Sequence, residues 1–109
     1  MAYSKSLAAR VRQLLAPQRV ITEKRMFGGV VFLSGGNMLV CVWQDSLIAR
    51  LGPPAAEQAL RQPFVRPFDV TGRPMKGWVM IEPDGMDTDA ELRAWIEAAQ
   101  AFVSTLPPK

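Results

Sequence analysis

The chain has 109 residues, 49% of them apolar, and carries 13 Lys and Arg against 10 Asp and Glu for a net charge of +3. That length fits one domain with one core, large enough to fold without a metal or a disulfide. No run of about 18 apolar residues is available to span a bilayer, the lone Cys41 excludes an internal disulfide, and the lack of histidine removes the commonest general base and metal ligand.

The first expected element is a helix over Ser4–Ala16, with Ser4 or Ser6 as its cap and Pro17 as its stop. Leu7, Val11, Leu14 and Leu15 form its apolar stripe. It lacks the unbroken apolar block of a signal peptide, so a cytoplasmic address is expected. Gln18–Thr22 connects, and Glu23–Phe27 reads as extended, with Gly28-Gly29 permitting a bulge, a bend or a close backbone approach. Val30–Leu33 is a short apolar strand, and Ser34-Gly35-Gly36-Asn37 is a hairpin turn signal. Met38–Trp43 and Ser46–Leu51 follow as strands around a Gln44-Asp45 turn. Adjacent strands joined this tightly form an antiparallel meander, because parallel neighbours need a crossover.

Pro53 and Pro54 open a short helix ending near Leu60. Phe64–Val70 reads as extended, and Pro67 assigns it to an edge. After a Thr71–Pro74 turn, Gly77–Glu82 is a strand containing Trp78, Val79, Met80 and Ile81, and Pro83-Asp84-Gly85 turns again. The last helix begins at Asp87 or Thr88, with Glu91 completing a capping box. Leu92, Trp95, Ile96, Ala99, Phe102, Val103 and Leu106 make its stripe, and Pro107-Pro108 ends it. The expectation is a two-layer α+β domain over 1–109. Its central antiparallel sheet has about five strands (a meander over 23–51, then 64–70 and 77–82), with N-terminal, middle and C-terminal helices packed on it.

Every position from Met38 to Trp43 is apolar, and strands present alternate side chains to opposite faces. Both faces of the sheet are therefore apolar, whereas the helices suffice for one. The second face is a candidate for a partner, most simply a second copy in a homodimer, with Val40, Val42, Trp43 and Trp78 as interface candidates. The alternative is that the helices and the Phe64–Phe68 segment cover both faces.

Reactive groupings are weak. Gly28–Gly36 lacks the Gly-Lys-Ser/Thr ending of a phosphate loop. Cys41 lies mid-strand among Met38, Val40 and Val42, the setting of an inert thiol. Asp84, Asp87, Asp89 and Glu91 miss calcium-loop spacing and suit the first turn of a helix. No catalytic residue, metal site or cofactor is assigned. Lys5, Arg10, Arg12, Arg19, Lys24 and Arg25 crowd the first quarter and acids crowd the last, which implies opposite potentials or attraction between the ends. The basic helix keeps nucleic-acid binding open as an alternative, and a crevice beside Gly28-Gly29 keeps a small-ligand site open.

Arg25-Met26-Phe27-Gly28-Gly29, followed by an apolar hairpin, a Pro/Ala helix, Phe64-x-x-x-Phe68, Trp78–Pro83 and a terminal amphipathic helix, resembles the TfoX N-terminal domain family over nearly the whole chain. Members of that family stand alone or are fused to a second domain in regulators of competence for DNA uptake. The resemblance implies a small α+β domain, offers no catalytic residues to carry over, and points to a non-enzymatic regulatory or protein-interaction module. Arg25, Phe27, Gly28 and Gly29 match its motif and, with Lys24, are the candidate binding residues. A structural account, in which Gly-Gly sets a bend and Phe27 packs beside it, stands next to the binding one.

Overall fold

A computed structural model describes residues 3–16, 21–26, 28–68 and 76–107. Helix α1 spans Lys5–Leu15, and Ser4 is its cap: the Leu7 N–H donates to Ser4 Oγ at 3.1 Å. Strands β1 (Ile21–Met26), β2 (Gly29–Ser34), β3 (Asn37–Trp43) and β4 (Ser46–Arg50) run antiparallel in succession. Helix α2 (Pro53–Ala59), β5 (Val65–Pro67), β6 (Trp78–Ile81) and helix α3 (Asp89–Val103) complete the order.

The sheet has six strands in the order β1-β2-β3-β4-β6-β5, in keeping with the expected antiparallel sheet of about five. The meander holds four strands because β1 and β2 are separate elements, paired from Ile21↔Ser34 to Met26↔Gly29 across a turn at Gly28. β5 occupies an edge, in keeping with Pro67, which has no backbone N–H to donate to a neighbouring strand. β1 forms the other edge and exposes every residue from Thr22 to Met26. The Thr71–Pro74 turn and Pro17 lie outside the described residues.

All three helices lie on one face. Leu7, Val11 and Leu15 of α1, Ala56 and Ala59 of α2, and Leu92, Ile96, Ala99 and Val103 of α3 share one core with Val30, Phe32, Val40, Val42, Leu47, Ala49, Val79 and Ile81. The register slips between Phe32 and Leu33, so Phe32 pairs with Val40 and Leu33 with Met38. Leu39 is the extra residue of this bulge, and both Leu39 and Val40 join the helix-side core. Both long helices, α1 and α3, are capped at their starts by side chains. Thr88 and Glu91 form the full capping box, each accepting the other's backbone N–H at 3.1 Å. Arg10 reaches from α1 to Asp89 at 3.1 Å and donates to the Met86 carbonyl at 2.9 Å, so the basic start of the chain is tied to its acidic end.

Val42 is fully buried beneath the helices. Val42→Asp is expected to cost roughly 3–5 kcal/mol by leaving a charge without a partner, and to abolish or severely weaken cooperative unfolding followed by circular dichroism. Met80→Asp, partly exposed on the opposite face, is expected to retain a cooperative transition.

Candidate functional site

Alternation along the strands builds the second face from Val31 and Leu33 of β2, Met38, Cys41 and Trp43 of β3, Ile48 of β4, and Trp78 and Met80 of β6. It has two tiers. Val31, Leu33, Cys41 and Ile48 form a floor, none more than 8% exposed, and Met38, Trp43, Phe68, Trp78 and Met80 pack against it while remaining partly exposed. Phe68, which follows β5, stacks at a tilt on Trp78 with ring centroids 5.9 Å apart. The Phe64–Phe68 segment thus contributes to this face. Among the described residues no helix does.

The four interface candidates divide between the faces. Trp43 and Trp78 belong to the second face, whereas Val40 and Val42 are completely buried under the helices and present no surface. Strand alternation assigns Lys24 to the same side as Val31, its partner across the β1–β2 pair, and Arg25 to the helix side opposite Val30. Phe27 lies outside the described residues.

Gly28 and Gly29 have separate structural reasons. Gly28 has φ +74° at the β1–β2 turn, with open space where a Cβ would stand. Gly29 is buried, and a Cβ there would be driven into the Val42 carbonyl oxygen. Neither glycine lines the nearby depression, a shallow space of about 240 Å³ bounded by Tyr3, Arg12, Glu23, Lys24, Arg25 and Val30. Within it Arg12 grips Glu23 with two hydrogen bonds of 2.6 and 2.9 Å, which holds the Glu23 carboxyl below its ordinary pKa. Arg10 and Arg12 are therefore both engaged by carboxylates of the chain itself, whereas phosphate binding through α1 would need them free.

A second groove, about 250 Å³, runs between α2 and β6. It is lined by Pro53, Ala56, Leu60, Pro67 and Trp78, with Glu57 and Lys76 as its charged residues. Leu60 is one of the more exposed large apolar residues of the described chain, at 38%. Sequence reasoning missed this groove, because α2 and β6 meet only through the strand order. Arg50 lies at the same end of the sheet, its guanidinium 5.3 Å from the Trp78 ring centre and 5.8 Å from that of Phe102. Burial pushes the Cys41 thiol up to about 11, so it stays protonated and unreactive at neutral pH. Among the described residues no group of three or more His, Cys, Asp or Glu is placed to hold a metal, and no helix is long and apolar enough to cross a membrane.

A family model described as the TfoX N-terminal domain matches residues 13–103, most of the chain. No curated protein and no solved structure matches it.

Gly29→Ala is expected to destabilise by about 1–3 kcal/mol, because the clash is with backbone. Gly28→Ala meets no atom and is expected to cost about 1–2 kcal/mol from its left-handed backbone alone. Urea melts of both variants read the difference. Cys41 in the folded chain is expected to resist a disulfide reagent at pH 8 and to react on unfolding. Its raised pKa adds stability that is fully present below about pH 9, where the unfolded thiol titrates, and is lost as pH rises to about 11. Cys41→Ala should flatten that part of the stability profile.

Proposed function

Because the chain belongs to the TfoX N-terminal domain family, we propose that it is a non-enzymatic regulatory and protein-interaction module acting in the cytoplasm through the second face of its sheet. The observation that carries this reading is the composition of that face: a buried aliphatic floor under five partly exposed methionine and aromatic side chains, with no described helix over it. Apolar sheet faces are ordinarily packed against another layer. Methionine-rich surfaces adapt to the shape of what they bind, and tryptophan supplies large contact area with little rotamer entropy to lose. The thiol on this face is held protonated, so the chemistry offered is burial and packing.

The Arg25–Gly29 segment takes a supporting part. Gly28 and Gly29 shape the turn that joins β1 to β2, and Lys24 and Arg25 are exposed on the edge strand beside it.

The test is affinity capture from an extract of the source cells, with the full chain as bait. Proteins retained by the wild type are expected to be lost with Met80→Asp and kept with Arg93→Ala, which alters an exposed position on α3. Equal retention by both variants, in proteins that melt cooperatively, would falsify the assignment of the working surface.

A further inference from the structure

The second face and the α2–β6 groove meet at Trp78, the one described residue common to both, and together make up an apolar tract. Among the described residues its charges are mostly positive. The charged side chains that the described strands give this face are Lys24, Arg50 and Arg66, and Lys76 stands at the groove. Glu82 neutralises Arg66 at 3.1 Å, and Glu57 is the acid of the groove. Lys24 and Lys76 form no ion pair among the described residues. The cations are spread across the tract, with Lys24 on the β1 edge and Arg50 and Lys76 toward β6.

We propose that this tract receives an acidic amphipathic helix from another protein, its apolar stripe on Met38, Trp43, Trp78 and Met80 and its carboxylates on Lys24 and Lys76. The inference rests on the reading of the second face as the working surface and adds the chemistry of the occupant. A helix suits the tract better than an extended segment, because a strand lying flat on apolar side chains would leave backbone N–H and C=O groups without partners. A helix satisfies its own. From β1 to β6 there are four strand spacings, about 19 Å, which a helix of about 13 residues covers. Helices over one face with a borrowed helix over the other would complete a layer arrangement common for sheets apolar on both sides.

The alternatives fit less well. Five partly exposed side chains offer on the order of a few hundred Å², short of the roughly 800 Å² per partner of a standard dimer interface. Two copies would also set like charges against each other. Single-stranded nucleic acid needs open ring faces for stacking, whereas Trp78 is already covered by Phe68 and Arg50.

The probe is a fluorescein-labelled synthetic helix of 14 residues (about 19–21 Å at 1.5 Å per residue) with leucine at i, i+3, i+4 and i+7 and glutamate elsewhere on its flanks. A twin carries lysine in place of glutamate. Fluorescence anisotropy with the full chain is expected to show saturable binding of the glutamate helix, at least tenfold tighter than its twin and weakened by salt. Lys24 and Lys76 are both exposed, and the combined Lys24→Glu and Lys76→Glu variant is expected to invert the preference. Binding of neither helix, equal binding of both, or an unchanged preference in the charge-reversed variant overturns the proposal. So does tighter binding of oligothymidylate, or a dimer in sedimentation velocity that Met80→Asp dissolves. If Met80→Asp abolishes capture from the extract while the helices show no charge preference, the interaction module stands and its acidic-helix occupant falls.

Discussion

A strand deals its side chains to two sides in turn, and β3 has nothing but apolar residues to deal between Met38 and Trp43. Water must therefore be kept from two surfaces by a chain whose described residues form three α-helices. The protein spends all three on one side, where α1, α2 and α3 close over a continuous core. The other side is finished by its own large side chains, which fold over the valine, leucine, cysteine and isoleucine beneath them. The crossover from β4 to β5 through α2 runs over the same face as the terminal helices α1 and α3, so the second acquires no helical layer from the described chain.

The same division explains the chemistry of the molecule. Its one thiol lies in the floor of the helix-free face, where desolvation disfavours the thiolate. Its strongest polar geometry, the two-pronged Arg12–Glu23 contact and the Arg10 contacts with Asp89 and Met86, fastens elements to one another. As exposed ion pairs these contribute roughly 0–1 kcal/mol each, and their value is in orientation. They set α1 against β1 and against the start of α3.

Much of this could be read from residue order. Ser4, Thr88 and Glu91 marked helix starts through local chemistry that does not depend on the rest of the fold. Pro67 marked an edge because a missing N–H has the same consequence in any sheet. Where information was not local, reading failed. Val40 and Val42 could be assigned to a face only by knowing where the alternation begins, and the bulge at Phe32 resets it midway. Glu23–Phe27 read as extended and Val30–Leu33 as a strand, but residue order left Gly28-Gly29 open between a bulge, a bend and a close approach. Gly28 in fact reverses the chain, so β1 pairs with β2 as a strand of its own. The α2–β6 groove depends on β6 lying beside β4, a non-local pairing that carries no sequence signature. The family motif was legible as a pattern. For its two glycines the physical reason is now specific: one turns the chain, and the other makes room for the Val42 carbonyl.

Among the described residues the sheet is open at both edges, and an open sheet invites lateral growth by any chain that can continue its hydrogen bonding. Here β5 offers three residues, one of them Pro67. β1 is longer but exposes Thr22, Glu23, Lys24 and Arg25 in sequence. Extending the ladder at that border would require stripping water from consecutive charged side chains. The apolar surface is thus displayed broadside and guarded edgewise, so the molecule can be sticky in one direction without becoming the seed of a fibre in the other.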